Sequence, residues 1–269
     1  MQSGPPEQSK ARPHARFATL DAIRGVAALV VVFRHLGSTE GTYVPPFSSL
    51  AVDIFFVLSG FVLAYANDRR FEAGQSAWKF MVGRFKRLAP LYSLGIALAL
   101  VSLLVIPGHL SGRALAALGI NALGLPSPIQ VRGTDYLFPD NIPLWSIFFE
   151  FWIANLALAV FWSKLQGLSL YILIGACAVG LCLSERLFYT VDVGAIRPSF
   201  AGGFLRVGFS FFAGVALSRA HQRRASTLRV PGWSVLQRWW RFSSPRLRGR
   251  RLMPLSSQRS SSLFLPWST

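Results

Sequence analysis

A chain of 269 residues that is 52% hydrophobic, 14% charged and +0.42 in mean hydropathy falls far short of the roughly 25% charge of an ordinary soluble domain. Its natural solvent is a bilayer, where helices satisfy their own backbone polar groups. A formal charge of +17 raises the question of nucleic acid, but every acidic residue lies at or before Asp192 and the segment after His221 is Arg-rich, so the excess belongs to loops and a tail, not to a binding groove.

Residues 1–16 are polar and basic with no apolar core of their own, so the first apolar run reads as a retained span and not as a removed signal peptide. Runs of about 20 mostly apolar residues predict spans at 18–36, 46–66, 90–106, 142–162, 168–184 and 200–218. The run 114–125 is too short to cross and reads as an interfacial or re-entrant piece. Cys177 and Cys182 fall inside one apolar run and read as small apolar side chains, not as a disulfide or metal pair. The expected fold is all-α, a polytopic transmembrane bundle of about six spans. It divides into a segment 1–16, a membrane domain 17–220 and a basic tail 221–269.

Orientation follows from Lys and Arg in the short loops. Lys10, Arg12 and Arg16 precede the first span, whereas Gly37 to Pro45 holds Glu40 and no base. Arg69, Arg70, Lys79, Arg84, Lys86 and Arg87 crowd the approach to the third span. The linkers 107–141 and 185–197 are nearly balanced, and the chain beyond Arg219 is heavily basic. The alternation predicts cytoplasmic termini.

Ionisable side chains inside spans are costly and therefore functional candidates. The first span holds Asp21, Arg24 and His35. Eleven positions separate Arg24 from His35, which places them on one helix face, about 20° from eclipse and about 16 Å apart. Asp53 and Glu150, in AVDIFFVLSGF and PLWSIFFEFW, lie in spans that enter from the same side as the His35 end. An imidazole with a carboxylate beside it is equipment for general-base chemistry; structural ion pairs with Arg24 or Arg206 would explain the same carboxylates. Ser59-Gly60 reads as close helix packing, because no strained G-x-S-x-G turn surrounds Ser59. Arg84 and Arg87, on a helical first turn, would lie side by side and grip phosphates, or simply fix topology. No metal-ligand cluster is legible.

Together, FATLDAIRGVAALVVVFRHL, AVDIFFVLSGFVLAY, FMVGRFKRLAPLY and PLWSIFFEFW resemble the acyltransferase 3 family of membrane O-acyltransferases, in the family's order. Arg24 and His35 match its Arg, ten residues, His arrangement; Arg84 and Arg87 its R-x-x-R; Trp145, Ser146 and Glu150 its W-S-x-x-x-E; Arg206 and Gly214 fall in a later family segment. The resemblance implies an inner-membrane enzyme, set among membrane lipids, that moves an acyl group, often acetyl, from an acyl-CoA donor to a hydroxyl of a sugar, surface polysaccharide or glycolipid. It implies no separate cofactor and no nucleic acid. His35 would be general base, oriented by Glu150 or Asp53; Arg24, Arg84, Arg87 and Trp145 would bind substrate. Family members usually continue through about four further spans. From Arg223 onward this chain has no Asp, Glu or Lys, which reads either as a basic tail with Trp239, Trp240 and Phe242 at headgroup level or as an out-of-frame sequence. A non-catalytic membrane protein, either a truncated, inactive remnant or a scaffold, is the rival reading; a transporter fits less well, because no inverted repeat is visible.

The charge map makes a direct prediction. Reporter fusions at Ser38 and Arg132 should be exported, and fusions at Gly74 and Arg224 should stay cytoplasmic; an exported Gly74 fusion would invert the orientation.

Overall fold

A computed structural model describes residues 18–223 apart from 40, 42, 46 and 189; the expectations for 1–16 and for the tail beyond Arg223 lie outside the described residues. The helices are α1 Ala18–Thr39, α2 Leu50–Glu72, α3 Ala77–Val105, α4 Gly112–Ala122, α5 Leu144–Phe161, α6 Leu168–Phe188 and α7 Phe200–Arg223, the last entered through a 3-10 turn. Two isolated β-bridges are the β-structure among the described residues. Among the described residues, five helices are long and apolar enough to cross a membrane: α2, α3, α5, α6 and α7 with its entry turn. Helix α1 has 22 residues but carries Asp21, Arg24, Arg34 and His35.

Helix α3 differs from the sequence expectation. It was expected to begin near residue 90, yet it runs 29 residues from Ala77 straight through Pro90. Ser76 supplies the reason: its side chain accepts a hydrogen bond from the Lys79 backbone N–H, an N-cap that starts the helix early. Pro90 forfeits one backbone bond without ending it. Arg84 and Arg87 thus sit inside a helix and not in the approach to one. Along its length α3 exposes Leu91, Leu94, Leu98, Val101 and Leu104, a stripe at helical spacing that suits lipid. Helix α4, 11 residues long, spans only about 16 Å. It packs Ala114, Ala117 and Leu118 against Ala99 and Leu103 of α3.

The core forms where α2, α5 and α7 meet, with Phe56, Leu63 and Phe71 against Val207, Phe211, Val215, Trp145, Phe149 and Leu158. Helices α2 and α7 touch backbone to backbone. A Cβ on Gly60 would lie 1.9 Å from the Phe211 carbonyl oxygen, and one on Gly214 would lie 2.0 Å from that of Val57, so only glycine fits either position. Asp53 pairs with Arg206 and Asp68 with Arg219, which sets the two helices parallel. Three long apolar helices lie between them in sequence, the odd number that a parallel pair of spans requires.

The linkers sort by end as the charge map grouped them. Asp192 reaches Arg34 at 2.6 Å, Leu137 N–H donates to Ala195 O at 3.1 Å and Arg197 N–H to Asp135 O at 2.9 Å, joining the 107–141 and 185–197 linkers and the end of α1. At the opposite end, Asp68 accepts from Arg219 Nε at 2.8 Å and from Trp162 Nε1 at 2.8 Å.

Gly60→Ala should lower thermal stability in detergent by about 1–3 kcal/mol, the usual cost of overpacking. Gly25→Ala, where an added Cβ meets nothing within 4 Å, should leave stability unchanged or raise it slightly. Equal behaviour of the two variants would remove the backbone-contact argument.

Candidate active site

Besides the Asp68–Arg219 pair, two charged clusters lie inside the bundle among the described residues. The first is organised by Arg206, whose side chain is only 2% exposed. A guanidinium removed from water needs counter-charge and acceptors for its N–H groups, and α7 delivers this one among several. Arg206 Nε donates to Asp53 Oδ1 at 3.1 Å and Nη2 to Asp53 Oδ2 at 2.9 Å. Nη1 donates to Asp192 Oδ1 at 2.7 Å and Nη2 to the Ser49 carbonyl at 2.7 Å. Ser210 Oγ completes Asp53 at 2.9 Å. The guanidinium stands over the Trp145 ring, 5.4 Å from its centroid, a cation–π contact. Asp192 accepts in turn from Arg34, whose Nη1 donates to Ser48 Oγ at 3.0 Å. His35, half-buried beside Arg34, lies within reach of the Asp192 charge.

The second cluster surrounds a cavity of about 190 Å³ lined by Arg24, Ser59, Arg84, Arg87, Leu88 and Glu150, with Phe55, Val62 and Leu63. Glu150 lies in the π-helical segment Phe149–Asn155 in the middle of α5, a distortion that recurs at functional sites. Its Oε1 accepts from Ser59 Oγ at 2.6 Å and from Arg84 Nη2 at 2.8 Å. Arg24 pairs with Asp21 at 3.5 Å, one turn earlier on α1. Arg87 is exposed and pairs with no carboxylate among the described residues. Three guanidiniums against two carboxylates leave this cluster positive.

The geometry redistributes the residues singled out from the sequence. Arg24, Arg84, Arg87 and Glu150 come together around one cavity. Asp53 and Glu150, expected beside His35 as its carboxylate partners, are engaged by Arg206 with Ser210 and by Arg84 with Ser59. The cause is the stronger demand of the buried guanidiniums. The ion pair with Arg206 that the sequence left open for these carboxylates is realised at Asp53. Trp145 is 6% exposed, packs edge-on against Phe56 and Phe149, and does not line the cavity. Arg34 and Asp192 went unrecognised. An arginine immediately before His35 inside an apolar run was signal enough for the first; nothing local marks the second.

A sequence pattern for an acyltransferase domain, that of the acyltransferase 3 family, matches residues 17–243. The chain belongs to the acyltransferase 3 family. Arg84 and Arg87 of the R-x-x-R stretch and Glu150 of the W-S-x-x-x-E stretch all line the cavity. Among curated relatives, protein 2 in the picA locus of Rhizobium radiobacter is 40% identical over 152 residues, covering 51% of this chain and 78% of that protein. The peptidoglycan O-acetyltransferase OatA of Listeria monocytogenes is 28% identical over 184 residues, covering 58% of this chain and 27% of that protein. The chain thus spans little more than a quarter of the Listeria protein's length. No solved structure matches it.

Proposed function

We propose that this acyltransferase 3 protein sits in the inner membrane and transfers an acyl group from an acyl-CoA-type donor to a hydroxyl of a sugar, surface polysaccharide or glycolipid. The observation that carries the reading is the convergence of Arg24, Arg84 and Arg87 on a single positive cavity, in which Arg87 has no carboxylate partner among the described residues. Guanidiniums match phosphate oxygens in bidentate geometry, so the cavity suits the anionic part of the donor. The name of the Listeria relative, a peptidoglycan O-acetyltransferase, supports a sugar hydroxyl as acceptor.

His35 is assigned as the base that takes the proton from the acceptor hydroxyl. It stands eleven residues along α1 from Arg24, about 16 Å at the helical rise. A donor held by its phosphates in the cavity must therefore extend its thioester on a long arm toward the Arg206 end, which the pantetheine part of CoA provides. Asp192 holds Arg34, the neighbour of His35 on α1, and Trp145 acts through Arg206.

Kinetics on the full chain in membranes separate the two ends. Arg87→Gln should raise the KM for acetyl-CoA about ten- to a hundredfold, the equivalent of a charge-assisted hydrogen bond of about 1.5–3 kcal/mol, with the acceptor KM unmoved. Arg84→Gln is a poorer probe because it strands Glu150. His35→Ala should cut kcat by about 10²- to 10⁴-fold while leaving insertion intact. An unchanged donor KM in Arg87→Gln, or near-normal turnover in His35→Ala, would overturn the respective assignment.

A further inference from the structure

The cavity is not simply cationic. Glu150 Oε1 accepts from both Ser59 Oγ and Arg84 Nη2, whereas Oε2 accepts from no described residue and keeps its lone pairs for a ligand. The side chain is 19% exposed and lines the cavity. A hydroxyl-to-carboxylate bond of 2.6 Å is in the short, charge-assisted range. With the guanidinium on the same oxygen, it holds the carboxyl plane in one orientation. Ser59 is itself immobilised, because the next residue, Gly60, lies directly against the α7 backbone.

A bare phosphate site has no use for a carboxylate, which repels anions. A site that holds three guanidiniums and one fixed, partly unfilled carboxylate suits a ligand with an anion at one point and a hydrogen-bond donor a few ångströms away. We infer that Glu150 Oε2 accepts a hydrogen bond from the hydroxyl or amide N–H of the donor's pantetheine arm, and that Ser59 is the positioning residue that aims it. This rests on the acyl-CoA reading above and adds to it a selectivity. The cavity distinguishes a phosphopantetheine-bearing thioester from a bare phosphate. Glu150 is thereby a donor-binding residue, and the arm leaves the cavity already directed along α1 toward His35.

Binding to the detergent-purified full chain tests this with two probes, phosphopantetheine and inorganic phosphate. Wild type should bind phosphopantetheine at least about tenfold more tightly than phosphate, the worth of one hydrogen bond to a charged acceptor. Glu150→Gln should lose most of that preference while binding phosphate at least as tightly as wild type, because the repelling charge is gone. Ser59→Ala, which leaves the Arg84 pair in place, should lose part of it, and Ser59→Thr should restore it. In turnover assays Ser59→Ala should raise the donor KM and leave kcat unchanged. Equal wild-type affinity for the two probes, or a fall in kcat at constant KM in Ser59→Ala, would overturn the inference alone. Failure of wild type to bind either probe would overturn the acyl-CoA reading and this inference together.

Discussion

A guanidinium carried into a bilayer must bring its counter-ion with it. Breaking a buried pair by removing one partner typically costs about 3–5 kcal/mol, so each interior arginine dictates which carboxylates, and therefore which helices, stand beside it. Arg206 and Arg219 of α7 take Asp53 and Asp68 of α2, and Arg84 of α3 takes Glu150 of α5. The first two pairs close the ends of one parallel helix pair, and Gly60 and Gly214 let the backbones between them touch. Non-directional apolar packing alone would not fix the register of two helices surrounded by lipid. Pairs at both ends, with glycine contacts between, do.

The same constraint arranges the chemistry. Because Arg206 claims Asp53 and Asp192, the residues around His35 form a nearly balanced cluster at the end where the linkers meet. Because Arg84 claims only one oxygen of Glu150 and Arg87 pairs with no described carboxylate, the second cluster stays positive and retains ligand capacity. Helix α1 runs past both, with Arg24 at one and His35 at the other. The ten residues between Arg24 and His35 set the two about 16 Å apart on one helix face.

Much of this was legible in the sequence. Apolar runs gave the helices, and the Lys and Arg of the loops grouped the linkers by end, because bulk transfer energies and charge placement are properties of segments. The start of α3 was not legible: Lys79, Arg84, Lys86 and Arg87 depress the local hydropathy, and only the fold shows that Arg84 meets Glu150 inside the bundle. Ser59-Gly60 was read as one packing unit, yet the two residues divide the work. Gly60 takes the backbone contact and Ser59, about 100° around the helix, faces the cavity. The partner of Arg34 lies 158 residues away at Asp192, and the π-helical turn under Glu150 leaves no compositional trace. Properties of pairs distant in sequence are what single-chain reading misses.

The pairing of α2 with α7 is the part of the account on which both clusters depend, and a double-mutant cycle on Asp53 and Arg206 measures it most directly. Thermal unfolding of the detergent-purified full chain should show each alanine variant, Asp53→Ala and Arg206→Ala, destabilised by about 3–5 kcal/mol. The double variant should lose far less than the sum, because it leaves neither charge of the pair stranded. Strictly additive losses would contradict the claim that this buried ion pair holds the bundle together.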